Sequence, residues 1–342
     1  MEDIYGSYIR EQLHAVLGID SPSGCTEDVQ QYLCDTLRAM GFAPRRLVKG
    51  GVHVTLGGEG EPLTLTAHAD PLGAVVQYIK PNGRLAISNM TLNVHNAEAE
   101  NVRVITRFDG AYEGTLQLCN ASVHVNPEPG QERDLNKNME IVLDYDVKTA
   151  EDVKKMGILP GDAIALEPRL RITETGYVKS RYLDDKASVV AILTLAKWIS
   201  EEHIQLKRRV DVLFTVFEEI GHGGACGIAA DTVELLAVDM GCVGDNVSCT
   251  ERQVSICAKD KSGPYNREFT NKLIRCAQEA GIDYAVDTYY SYSSDASVAI
   301  RTGYDVRHGL IGPGVYASHG YERTHLDGIY NTFALLRAYL AL

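Results

Sequence analysis

The chain has 342 residues, of which 45% are hydrophobic and 23% charged, and a formal net charge of −13. This is the composition of an ordinary globular protein with one large core and a smaller second unit, and its acidity disfavours a nucleic-acid or anionic-membrane partner. Met1-Glu2-Asp3-Ile4-Tyr5 lacks the basic-then-apolar start of a signal peptide, no apolar run approaches the roughly 20 residues that span a bilayer, and eight cysteines without a C-x-x-C pair read as reduced thiols, so a cytoplasmic protein is expected.

In chain order, the pattern predicts amphipathic helices over 2–18 and 26–41, the second with acids in its first turn. Strands follow at 52–56 and 63–67, the latter running into His68-Ala69-Asp70. From about 73 to 165 the character changes: short β-like pieces alternate with turn clusters such as Pro81-Asn82-Gly83 and Pro127-Glu128-Pro129-Gly130, which reads as a small all-β insert. Beyond it, helices at 186–202, 266–280, 295–301 and 326–341 alternate with strands at 209–217, 234–239, 253–258, 285–290 and 305–310. That alternation predicts an α/β layer, a sheet flanked by helices, occupying 1–72 and 166–342 and interrupted by the insert at 73–165.

Five clusters, three of them at the ends of expected strands, carry chemistry-bearing side chains. His68 closes the 63–67 strand, and Asp70 two residues on can fix its ring tautomer. Asp184 and Asp185 precede a helix, where one of them could simply cap it. Glu218 and Glu219 end the run Val210-Asp211-Val212-Leu213-Phe214-Thr215-Val216-Phe217. Unpaired buried carboxylates are costly, and successive extended residues point opposite ways, so one acid can face a metal and its neighbour the substrate water. Asp239 ends Glu234-Leu235-Leu236-Ala237-Val238, and His319 and His325 sit in a C-terminal loop. Singly, each has an ordinary structural reading as a loop, cap or surface residue; together they form a mixed oxygen and nitrogen set suited to zinc, cobalt or manganese. Tyr289, Tyr290 and Tyr292 either line a pocket or pack in the core, with packing the commoner fate of such residues.

His68-Ala69-Asp70-Pro71-Leu72-Gly73, Asp184-Asp185-Lys186, Glu218-Glu219-Ile220-Gly221 and Ser294-Asp295-Ala296 resemble, in order and spacing, the motifs of the glutamyl and tetrahedral aminopeptidases, two-metal exopeptidases of which some were named endoglucanases. The likeness covers nearly the whole chain. It implies a zinc-exopeptidase-like catalytic domain with an inserted β-barrel-like dimerisation domain, and two divalent ions per subunit. His68, Asp184 and Asp239 would hold one ion, and Asp184, Glu219 and His319 the other, with Asp184 bridging. Glu218 would take a proton from a metal-bridging water, and Asp70 would orient His68. The resemblance further implies a cis Asp184–Asp185 peptide, short peptides as substrates and a homo-oligomer, with dimers assembling into a tetrahedral dodecamer. Lys186 stands where the family has arginine, and Ser318-His319-Gly320-Tyr321-Glu322-Arg323-Thr324-His325 departs from the family's histidine-serine segment.

Other readings use the same residues. A two-metal deacylase of acylated amino acids or small peptide amides needs the same ions but no free ammonium on its substrate. A non-catalytic scaffold would have no use for Glu218. Glycosidases also pair carboxylates, but about 5–9.5 Å apart and without metals. The sequence has neither G-x-S-x-G nor H-E-x-x-H.

Overall fold

The computed structural model describes residues 2–341, and the chain forms two compact units, one from Met1–Pro71 with Arg169–Leu342 and one from Leu72–Pro168. The first unit opens with α1 (Glu2–Leu17) and α2 (Glu27–Ala39). In α2, Val29, Leu33, Cys34 and Leu37 fall on one buried stripe, and Glu27 and Asp28 occupy the first turn, where the helix dipole favours negative charge. Then come β1 (Arg45–Arg46), β2 (Val52–Gly57) and β3 (Leu63–His68). Every residue of β3 is buried, as for a strand covered on both faces.

The second unit contains β4 (Ala74–Ile79), β5 (Leu85–Asn89), β6 (Asn101–Ile105), β7 (Ala111–Leu118), β8 (Met139–Leu143), the short helix α3 (Ala150–Lys155) and β9 (Ala163–Leu166). The six strands close into a barrel in the order β4-β5-β8-β7-β6-β9. Alternation fills it: Val102 and Val104 of β6, and Gly114, Leu116 and Leu118 of β7, are buried while the residues between them are not. Thr149 and Asp152 form a reciprocal capping box on α3.

The first unit resumes with β10 (Arg171–Ile172), β11 (Tyr177–Ser180), α4 (Leu183–Glu201), β12 (Val210–Thr215), β13 (Glu234–Val238), β14 (Gly241–Val243), β15 (Val254–Asp260), β16 (Gly263–Pro264), α5 (Arg267–Glu279), β17 (Tyr284–Thr288), α6 (Asp295–Arg301), β18 (Arg307–Tyr316), β19 (Glu322–His325) and α7 (Leu326–Ala341). Its mixed sheet runs β1-β2-β12-β3-β13-β18-β19-β11-β10, with β15 beside β18 and β17 beside β15. β3 lies between β12 and β13 and is parallel to both, and β18 is parallel to β13. The carboxyl ends of β3, β12, β13 and β18 therefore share one edge, the position at which open α/β sheets bind ligands. Helices α1, α4 and α7 pack together, and α4 lies on β3. Among the described residues no helix is long and apolar enough to cross a membrane.

Several elements differ from the sequence expectation for identifiable reasons. The strand expected to reach residue 217 stops at Thr215, because Phe217 adopts φ of 67° and turns the chain into a short 3-10 turn at Glu218–Ile220. The strand expected at 305–310 runs on to Tyr316. Its glycines resemble a turn, yet a side chain at Gly312 would run into the Asp239 backbone carbonyl, so the glycine serves close strand approach. The short strands β10, β11, β14 and β19 were not expected, since two to four residues carry too little periodicity to read.

Candidate active site

The sharing of one sheet edge gathers the predicted residues. His68 is the last residue of β3 and pairs in register with Thr215 of β12. Glu218 and Glu219 follow β12 after the Phe217 turn, and Asp239 follows β13, donating its backbone N–H to Ile311 O at 2.8 Å. Asp184 and Asp185 head α4 with non-helical backbone angles and a cis peptide between them. His319 lies in the turn between β18 and β19 with φ of 62°.

The side chains converge. His68 Nε2 lies 3.2 Å from Asp184 Oδ1, and His319 Nε2 lies 3.4 Å from Asp184 Oδ2, so the two oxygens of one aspartate face two histidines. Glu219 Oε2 is 3.6 Å from His319 Nε2. Ligand atoms of His68, Asp184 and Asp239, and separately those of Asp184, Glu219 and His319, lie within 4.8 Å of one another. Glu218 belongs to neither set; its Oε2 is 3.9 Å from His68 Nε2. His325 is elsewhere: its ring accepts from Asp327 N at 3.0 Å and meets Thr175 O at 2.7 Å, a structural commitment within β19.

One expected contact is made differently. His68 Nδ1 is held at 2.9 Å by the backbone carbonyl of Asp70, not by its carboxylate, which stands 4.0 Å away. The carboxylate is engaged otherwise, accepting from Ser23 Oγ at 2.5 Å and from the backbone N–H of Glu218 at 3.1 Å. Asp70 thus orients His68 through its main chain and fixes the Glu218 backbone through its side chain.

The electrostatics are lopsided. Asp70, Asp184, Asp185, Asp239, Asp295 and Glu322 are all buried, with Glu218 and Glu219 beside them, and the histidines facing them are His68 and His319. Burial pushes Glu218, Glu219 and Asp185 well above the usual carboxylate range, and neighbouring carboxylates push the same way. Burial, followed by the Asp184 charge, lifts Asp239 to about 7 and Glu322 to about 8, and burial lifts Asp70 to about 6. Burial opposes the Asp184 anion too, yet the bonds from His319 and His68 hold it well below the usual range. Burial likewise opposes the His68 cation, but Asp184 and Glu218 outweigh it and keep the ring protonated well above the ordinary histidine range. Asp239 Oδ1 and Glu219 Oε1 are buried without a hydrogen-bond partner. Such oxygens are expensive unless a cation meets them, and a histidine–carboxylate set is the donor chemistry for a divalent ion of the zinc, cobalt or manganese type.

A cavity of about 710 Å³ opens over this cluster, lined by His68, Asp184, Glu218, Glu219, Asp239 and His319 on one side. Cys242, Val243, Asp245, Val247, Tyr289, Tyr290 and Tyr292 line the other. The three tyrosines take both of the fates read from sequence: Tyr289 and Tyr292 also pack, bonding Ser255 Oγ at 2.6 Å and Met240 O at 2.8 Å, whereas Tyr290 is 92% exposed. Sequence reasoning named Asp185 only beside Asp184, without a role of its own, and gave none to Glu322. Asp185 accepts from the His68 backbone N–H at 3.3 Å. Glu322 accepts from the backbones of both Asp184 and His319; nothing marks it in sequence except its place in the departing 318–325 segment.

Comparison with known proteins agrees with the motifs. The model of the M42 glutamyl aminopeptidase family matches residues 50–335. A protein of Bacillus subtilis (strain 168) named "Putative aminopeptidase YhfE" is 42% identical over 333 residues, covering 96% of each chain. Among solved structures, aminopeptidase APDkam598 from the archaeon Desulfurococcus kamchatkensis superposes with a TM-score of 0.88 at 21% identity, over 98% of this chain and 95% of that one. The TET1 peptidase of Pyrococcus horikoshii, described as able to assemble into a tetrahedron or a large octahedral shell, gives a TM-score of 0.86 at 20% identity, over 97% and 99%. On the family match and the near full-length relative, the chain belongs to the M42 glutamyl aminopeptidase family and is a peptide-bond hydrolase of the aminopeptidase class.

Proposed function

We propose that the protein is a two-metal aminopeptidase removing the N-terminal residue of short peptides. His68, Asp184 and Asp239 would hold one divalent ion, zinc, cobalt or manganese, and Asp184, Glu219 and His319 the other. The observation that carries this reading is that the two ligand sets share Asp184, each oxygen of which faces a different histidine. The buried, unpartnered oxygens of Asp239 and Glu219 support it. When bound, such ions polarise the scissile carbonyl and lower the pKa of water.

The chain's own residues do the rest. Glu218 lines the cavity, stands outside both ligand sets and is pushed by burial well above the usual carboxylate range, the direction that favours taking up a proton. It is the group that accepts a proton at its carboxylate and returns it to the leaving amine. Asp70 anchors the Glu218 backbone, which limits where that carboxylate can sit. The cavity has acids and no lysine or arginine among its lining residues, which suits a substrate carrying a free ammonium rather than an acylated one. This favours the aminopeptidase over the deacylase.

The unit Met1–Pro71 with Arg169–Leu342 carries every residue of the proposed chemistry. The barrel unit would then serve subunit pairing, with dimers assembling into a dodecamer, a reading supported by the tetrahedral assembly described for the Pyrococcus horikoshii peptidase. A cytoplasmic setting fits the eight free cysteines.

The test is hydrolysis of matched free and N-acylated dipeptides by metal-stripped protein reconstituted with zinc, cobalt or manganese. Turnover of the free-amine series alone supports the reading. Turnover restricted to acylated substrates replaces it with the deacylase, and no turnover with any ion removes both.

A further inference from the structure

Glu322 is the first residue of β19, and its side chain is almost fully buried, 2% exposed. β19 pairs with β11 so that Glu322 stands opposite Ser180, four residues ahead of Asp184. The carboxylate reaches across this junction. Its Oε2 accepts the backbone N–H of Asp184 at 3.0 Å, and its Oε1 accepts the backbone N–H of His319 at 2.9 Å. Both oxygens of one buried acid are thus spent on the main chains of two residues that the proposed function makes metal ligands. The His319 turn needs such a hold: Ala317 and His319 both take positive φ, 58° and 62°, which residues other than glycine keep only when their surroundings over-determine them.

We infer that Glu322 is a positioning residue that locks the His319 turn against the Asp184 backbone, and so sets the geometry of the ion site formed by Asp184, Glu219 and His319. The inference rests on the two-ion reading. It names a clamp that only one of the two sites depends on fully, because His319 belongs to one set and His68, in the other, is held independently by the Asp70 carbonyl. It also gives a use to the acid in the segment Ser318–His325, where this chain departs from the family pattern.

The experiment is a zinc titration of metal-stripped protein, with a competing chromogenic chelator, for the native chain, Glu322→Gln and Glu322→Asp. Glutamine keeps the shape but turns an NH2 toward one of the two N–H donors. Aspartate keeps the charge but is one methylene too short to reach both. If Glu322 positions the site, both variants lose affinity for one of the two equivalents by about 10–100-fold, the range seen when groups supporting metal ligands are removed, and lose less for the other, which shares only Asp184 with it. A cooperative melt of each metal-free variant well above the temperature of the titration separates this from general unfolding. Wild-type affinity for both equivalents in Glu322→Gln overturns the inference. So does a loss in Glu322→Gln that Glu322→Asp does not share, because charge alone would then account for it. A native chain that takes up fewer than two equivalents overturns the two-ion reading itself, and the inference falls with it.

Discussion

Glu218 and Glu219 are neighbours of the same chemical type, and the geometry assigns them opposite phenotypes. Glu219 lies within ligand distance of Asp184 and His319, its side chain 4% exposed and its Oε1 unpartnered. Glu218 lines the cavity outside both ligand sets. Glu218→Gln should therefore leave both metal equivalents in place and remove proton transfer. General acid–base catalysis is worth about 10²–10⁴-fold, so kcat should fall by that factor, about 3–5 kcal/mol in barrier height, with KM little changed. Glu219→Gln should instead weaken one equivalent by about 100-fold or more, since losing a ligand costs at least as much as losing the support of one. Its activity should recover partly at high metal concentration, whereas that of Glu218→Gln should not. The assay is steady-state hydrolysis of a free-amine dipeptide across a metal titration, with bound metal measured on the same samples by equilibrium dialysis. Metal loss in Glu218→Gln, or activity within about tenfold of native, would falsify the division of labour.

Substrates beginning with aspartate or glutamate should be poor relative to those beginning with leucine or phenylalanine, because the cavity lining contains Asp245 and tyrosines but no lysine or arginine. A like-charge penalty on the order of 1–2 kcal/mol makes this about tenfold or more in kcat/KM, and equal values would refute it. His319→Ala should lose one metal equivalent, while His325→Ala, whose ring meets Thr175 O and Asp327 N, should keep both and instead lower the melting temperature. Gly224→Ala should lower activity and stability together, by about 1–3 kcal/mol for the latter, because the new methyl group would meet the Asp295 backbone; denaturant melts measure it. Metal-free protein should lose stability as pH rises from about 6 through about 8. Asp70, Asp239 and Glu322 have folded-state values near 6, 7 and 8, raised above those of the unfolded chain, so the native state binds more protons than the unfolded one and folding weakens as they dissociate. The raised His68 and His319 act in the same direction. Thermal melts of chelator-treated protein across that range should fall steadily, and a rise would contradict the assignment.

The parts of the site legible in sequence are those at the ends of long, strongly patterned strands. β3, β12 and β13 are buried at every position because both faces are covered, their sequences are built mainly from leucine, valine, alanine, phenylalanine and threonine, and a charged residue following such a run is conspicuous. His68, Glu218, Glu219 and Asp239 all announce themselves this way. Asp184 and Asp185 are visible as a pair, although only the fold reveals that one faces two histidines and the other receives the His68 backbone. The role of the Asp70 carboxylate was not legible, because H-x-D spacing does not distinguish an acid that faces the imidazole from one that turns toward Ser23 and Glu218.

What stayed hidden depends on short elements. β19 has four residues and β11 has four, lengths at which no period can be counted, yet their pairing brings the His319 turn to the Asp184 backbone and puts Glu322 between them. The same physics explains why His325, which is nearer the last helix and equally a histidine, could not be dismissed from sequence. Its inward orientation follows from strand register, Tyr177 opposite His325, and a one-residue slip would turn every side chain of β19 to the other face. The register of a four-residue strand thus decides both which histidine reaches the cluster of acids and which acid supports it.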